Sequence, residues 1–193
     1  MNTSNPTPDE ITIETYLAGL GRTLAALPRA PLLQILATLR QARGAGSRVF
    51  IFGNGGSAAT GSHIACDFGK NTVRPGRPRL RVIALNDNVP TFSAYANDEG
   101  YDRVFAEPLM TLAEAGDVAI AISGSGNSPN VLRAVEAGRS LGLTTIGLTG
   151  FAGGKLAGLV DICLIVPSDS MEQIEDAHMV IDHVLTVALR ENG

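Results

Sequence analysis

Two of the three histidines in this 193-residue chain sit at spacings that suit chemistry. His63 and Asp67 are four residues apart, which on a helix puts an imidazole and a carboxylate on one face. Glu175 and His183 are eight apart, roughly 80° around a helix axis. Convergence of all four would give two imidazoles and two carboxylates, a set able to hold zinc or to exchange protons with a substrate. Otherwise His63–Asp67 is a surface pair and His183 a core or interface histidine. Spacing alone leaves both open. The third histidine, His178, falls away from these pairs.

Two loops add a place for an anion. Gly53-Asn54-Gly55-Gly56-Ser57 follows one apolar run, and Ser123-Gly124-Ser125-Gly126-Asn127-Ser128-Pro129 follows another. Each opens a helix, the second with Ser128 as its expected cap. Free N–H groups at a helix start, beside serine hydroxyls, surround phosphate oxygens well. Neither loop carries Gly-Lys-Ser/Thr or a G-x-G-x-x-G, so a nucleotide is not indicated.

The elements that must position these residues are legible as periodicity. Thr7-Pro8-Asp9-Glu10 has the order of a capping box with Pro at the first helical position. This predicts a helix to about Ala26 and a second from Pro31 to Arg43, ended by Gly44 and Gly46. Five continuously apolar runs follow: RVFIF (48–52), LRVIAL (80–85), DVAIAIS (117–123), TTIGLTG (144–150) and DICLIVP (161–167). Runs of this kind suit strands buried on both faces of a parallel sheet. Helices fit between them at 58–68, in two pieces across 89–115, at 128–141 and briefly near Lys155. A long one follows at 171–190, with Ser170 and Gln173 in capping-box spacing. The expected fold is α/β: a doubly wound five-stranded parallel sheet with an N-terminal two-helix arm, arm 1–46 and core 47–193 in one domain.

Composition narrows the classes. The chain is 45% hydrophobic and 18% charged, enough for a core and too apolar for disorder. A net charge of −4 without Lys/Arg runs gives no footprint for nucleic acid. Cys66 and Cys163 lack the spacing of a disulfide framework or a cysteine zinc site. The polar N-terminus has no signal-peptide core and no run reaches membrane-spanning length, so a cytoplasmic protein is expected.

On these residues the chain resembles the sugar isomerase (SIS) family, and within it the phosphoheptose isomerases. The motifs are GNGGSAA, the Asn97-Asp98 pair, SGSGNSPN, LTGFAGGK and EQIEDAH-x4-H. The resemblance implies a flavodoxin-like SIS fold, a sugar-phosphate substrate (sedoheptulose 7-phosphate) and a homotetramer with sites between subunits. It implies a substrate site of Asn54, Gly55, Gly56, Ser57, Asn97, Asp98, Ser123, Gly124, Ser125 and Ser128. It also implies Zn²⁺ held by His63, Asp67, Glu175 and His183, with Asp67 as base, Glu175 as the second candidate and His183 as acid. Asp67 stands where the family has glutamate, and Glu175 where it usually has glutamine. Gly124 stands where threonine is common. The extra charge of Glu175 is expected to tighten zinc binding, so that Glu175→Gln loosens it. The alternative is a non-catalytic SIS protein that binds sugar phosphate or regulates, like the relative that binds the bacterial replication initiator.

Overall fold

The structure, a computed structural model, describes residues 5–192; residues 1–4 of the polar N-terminal stretch and residue 193 lie outside it. Helix α1 (Pro8–Ala25) starts as its sequence predicts. The Thr7 hydroxyl accepts from the Glu10 N–H while the Glu10 carboxylate accepts from the Thr7 N–H. Helix α2 (Arg29–Ala45) runs past Gly44 and stops at Gly46, whose φ of 72° is the left-handed conformation that ends helices.

Five strands follow: β1 (Arg48–Gly53), β2 (Arg81–Ala84), β3 (Val118–Ile122), β4 (Thr144–Thr149) and β5 (Ile162–Ile165). They form one parallel sheet in the order β2-β1-β3-β4-β5. The connecting helices are α3 (Gly56–Cys66), α4 (Val89–Asp98), α5 (Ala106–Leu112) and α6 (Pro129–Ser140), and α7 (Met171–Glu191) closes the chain.

Period-two alternation splits the core into two layers. Val49 and Ile51 of β1 face a cluster with Leu39 of α2, Ile64 of α3 and Ile181 of α7. Phe50 and Phe52 face the other, with Leu109 of α5 and Val135 of α6. Both faces of the sheet are covered, which is why its strands read as unbroken apolar runs.

The order reverses between β1 and β3. In open α/β sheets the crevice at such a reversal, beyond the carboxyl ends of the strands, is where ligands bind. The two Gly/Ser loops leave β1 and β3. Three local details differ from the sequence expectation. Helix α3 ends at Cys66 and continues as a π-helical turn, Asp67–Asn71; such widened turns recur at functional sites. Ser128 occupies the N-cap position of α6 but makes no capping hydrogen bond. At α7, Ser170 accepts from the Gln173 N–H, whereas the Gln173 side chain accepts from Thr23 and Ser168 instead of completing the box.

Candidate active site

Close approach shapes the loop after β1. A Cβ on Gly53 would lie 2.7 Å from the Ile122 carbonyl oxygen, so only glycine lets β1 and β3 meet here. Gly55 adopts φ 55° and ψ −123°, which a side chain disfavours. The loop is then tied across the crevice. The Asn54 side-chain amide donates to Asn130 Oδ1 (2.9 Å), the Asn130 amide donates back to Asn54 Oδ1 (2.8 Å), and the Tyr101 hydroxyl donates to the same Asn54 oxygen (3.0 Å).

The loop after β3 is braced from the segment that follows β4. Gly150 donates to the Gly124 carbonyl, Leu156 to that of Gly126, and the Lys155 N–H to the Asn127 side-chain oxygen. Freed from capping, the Ser128 hydroxyl lies 3.2 Å from that of Ser123. The two loops, with Met171 and Glu175 of α7, line a cavity of about 250 Å³. Asn54, Gly55, Gly56, Ser57, Ser123, Gly124, Ser125 and Ser128 all border it, and no lining residue is Lys or Arg. Its donors are hydroxyls, the Asn54 amide and the N–H groups that open α3. Asn97 and Asp98 are not part of it. They lie exposed at the end of α4, where the Asn97 amide bonds to the Asp98 carboxylate at 2.7 Å.

Helices α3 and α7 run side by side in the same direction. At one end the Glu175 carboxylate faces Gly56, where a Cβ would come within 2.5 Å of it. At the other, the Nε2 atoms of His63 and His183 are 3.3 Å apart. The seven or eight residues between these contacts correspond to roughly 10–12 Å of helix. Glu175 therefore belongs to the loop cavity, and the histidines meet two turns further on.

Around the histidines the cluster consists of His63, Asp67, Asp182 and His183, whose ligand atoms all lie within 4.8 Å of one another. Glu175 is outside it, and Asp182 supplies the second carboxylate. Asp67 Oδ2 and Asp182 Oδ2 each lie 3.7 Å from His63 Nε2. The Asn71 amide, carried by the π turn, holds Asp67 Oδ1 at 2.7 Å. Asp182 is fully buried; its Oδ1 accepts from Thr186 at 3.3 Å, and its Oδ2 has no hydrogen-bond partner among the described residues. Burial, and then the Asp67 charge, push the Asp182 carboxyl up to about 6 against the pull of His63, the Thr186 hydroxyl and His183. An orphaned buried carboxylate oxygen beside two imidazoles and a second carboxylate fits a divalent cation such as Zn²⁺.

Several of these residues carry no motif. Asp182 precedes His183 and reads as an ordinary helix residue; Asn71 acts through Asp67 one turn away, Tyr101 acts through Asn54, distant in sequence, and Asn130, though inside SGSGNSPN, gives no sign there of its bond to Asn54. His178 takes no part. It is buried 3.4 Å from the Thr149 carbonyl, and burial pushes its imidazole down to about 4.

Residues 16–150 match the family model of the SIS domain. A phosphoheptose isomerase of Rhodospirillum rubrum is 43% identical over 141 residues, 73% of this chain and 74% of the relative. One of Paramagnetospirillum magneticum is 38% identical over 176 residues, covering 90% of this chain and 91% of its own. Among solved structures, phosphoheptose isomerase GmhA of Neisseria gonorrhoeae superposes with a TM-score of 0.86 at 30% identity, over 92% of this chain and 96% of that one. A phosphoheptose isomerase of Francisella tularensis gives 0.87 at 30% identity, over 96% and 100%. Helices on both faces of the five-stranded sheet, the paired loops and these relatives agree: the chain belongs to the SIS-domain family and, within it, to the phosphoheptose isomerases.

Proposed function

We propose that the chain interconverts sedoheptulose 7-phosphate and D-glycero-D-heptose 7-phosphate, an aldose–ketose isomerisation supplying heptose precursors. The observation that carries this is the placement of two features along one pair of helices. A cavity lined by hydroxyls and N–H groups lies two helical turns from a cluster of titratable groups. With the phosphate in the Gly/Ser loops, an extended sugar chain directs its carbonyl end along α3 and α7 toward the cluster.

Phosphate is bound by Ser57, Ser123, Ser125 and Ser128 with the N–H groups opening α3, while Gly55, Gly56 and Gly124 let it approach the backbone. Asp67 takes a proton from the carbon beside the carbonyl, and His183 gives one to the carbonyl oxygen, forming the enediol. The hydroxyl proton on the first carbon then leaves as the second carbon is protonated, which completes the exchange. Asn71 orients Asp67 for this. Glu175, on the cavity wall, is the second candidate for the base. His63, Asp67 and His183, with a further carboxylate, would hold Zn²⁺, which when bound supplies positive charge to the enediolate oxygens. Positioned acid–base groups of this type contribute about 10²–10⁴-fold.

The same reading makes the protein a cytoplasmic homotetramer with sites between neighbours. In its support, Ile11, Ile13, Leu17 and Leu33 of the helical arm are half or more exposed in the single chain. Asn97 and Asp98, outside the cavity of their own chain, would serve a neighbour's. Among the described residues no helix is long and apolar enough to cross a membrane.

A panel of C5–C7 ketose phosphates, with zinc added or chelated, tests the proposal. Turnover of the heptose phosphate supports it. Binding without turnover at any metal level would instead identify a non-catalytic sugar-phosphate-binding SIS protein.

A further inference from the structure

We infer that the second carboxylate ligand of the metal centre is Asp182 and not Glu175, so that the centre is His63, Asp67, Asp182 and His183. The inference rests on reading this cluster as the metal end of the isomerase site.

Three observations on Asp182 point the same way. Its side chain is fully buried beside His63 of α3, where a lone charge is strongly disfavoured. One oxygen is used by Thr186, whereas Oδ2 has no hydrogen-bond partner and lies 3.7 Å from His63 Nε2. That oxygen and one atom each of His63, Asp67 and His183 fall within a single 4.8 Å span. A divalent cation at their centre would satisfy the orphan oxygen and balance both carboxylates.

Glu175 is placed differently. It lies two turns earlier on α7, roughly 10 Å along the axis from Asp182, with its carboxylate against Gly56 on the wall of the loop cavity. To reach the histidines it would have to leave that wall. Asp182 is already there. The position aligned by motif and the position that closes the cluster are therefore different residues, and Glu175 is left to the sugar-phosphate end.

The test measures zinc affinity by chelator competition, and the Co²⁺ absorption spectrum, for the full chain and its variants. Asp182→Asn, nearly isosteric, should weaken zinc at least tenfold and shift the Co²⁺ bands. Asp182→Glu should recover part of the affinity with altered bands. Glu175→Gln should stay within about twofold of wild type, with unchanged bands. Metal-free Asp182→Asn should melt no lower than metal-free wild type, because it removes a buried carboxylate whose Oδ2 lacks a hydrogen bond. Should it fail to fold, Asp182→Glu carries the test through its bands. Wild-type zinc affinity and bands in the Asp182 variants, loosening by Glu175→Gln, or no zinc binding by wild type would each overturn the assignment. Heptose phosphate turnover by the same wild-type preparation separates the two ideas. Turnover with zinc unaffected by Asp182→Asn removes only the ligand assignment, whereas zinc lost in Asp182→Asn without wild-type turnover removes only the isomerase reading.

Discussion

Asn54 and Asn130 exchange two amide hydrogen bonds, of 2.9 and 2.8 Å, and so lock the loop after β1 onto the helix that follows β3. The two Gly/Ser loops are thereby tied to each other. Asn130 is buried, and its oxygen also accepts from the Val131 N–H at 2.9 Å.

Asn130→Ala should therefore act on binding although Asn130 borders no part of the cavity. Loss of a buried amide that makes three hydrogen bonds costs about 1–3 kcal/mol of stability, and a loosened Asn54 should raise KM for the sugar phosphate more than it lowers kcat. Urea denaturation and steady-state kinetics check this. Unchanged KM and stability would deny the lock.

Ser125 borders the cavity and makes only a local contact, with the Asn127 N–H at 3.3 Å. Ser125→Ala should leave the fold intact. Loss of one hydrogen bond to a charged group is worth about 1.5–3 kcal/mol, so KM should rise roughly tenfold or more. An unaltered KM would take the serine loop out of the site.

His183 contacts His63 and is half of the imidazole pair. His183→Ala should lose both bound metal and turnover. Elemental analysis of protein purified without chelator, followed by an activity assay, measures the two together. Full activity without this ring would deny the cluster a part in turnover.

His178 supplies a pH dependence whose sign is fixed by its burial. Its folded value, about 4, lies below the ordinary 6.5, so the unfolded chain binds more protons between them. Its contribution is fully present above pH 6.5 and disappears as pH falls toward 4, about 3 kcal/mol in total. Asp182, raised from 3.8 to about 6, has the opposite slope: its contribution is lost as pH rises toward 6. Comparing wild type with His178→Gln cancels that term. Urea titrations at pH 7 and pH 4.5 should show wild type losing about 2–3 kcal/mol more than the variant. Parallel losses would mean that His178 accepts a proton while folded.

Leu17 and Leu33 are 62% and 65% exposed in the single chain, so glutamate at both positions should leave the fold undisturbed. An obligate interface resembles a core cut in half, and two buried charges would break it. Sedimentation at micromolar concentration should show a tetramer for wild type and smaller species for Leu17→Glu/Leu33→Glu. A wild-type monomer would reject the assembly.

The fold was largely legible in the sequence because its signals are local. Thr7-Pro8 with Glu10 announces a helix start through contacts three residues apart, and runs such as Val49–Phe52 announce buried strands through composition. The Gly/Ser loops were legible too, since helix starts bind anions through backbone groups that neighbouring residues arrange. The order β2-β1-β3-β4-β5, which sets the two loops side by side, is a long-range property. So is the parallel run of α3 and α7. Motif spacing put Glu175 with His183, because both lie on one helix and match a known pattern. Packing put Asp182 there instead, because α7 meets His63 two turns beyond Gly56. Ser128 shows the same division: its place before Pro129 marks a helix start, yet its hydroxyl turns toward Ser123 and away from the cap. Sequence determined which elements form and which groups could do chemistry. Tertiary structure alone decided which of those groups share one space, because that depends on how far along each helix its partner touches it.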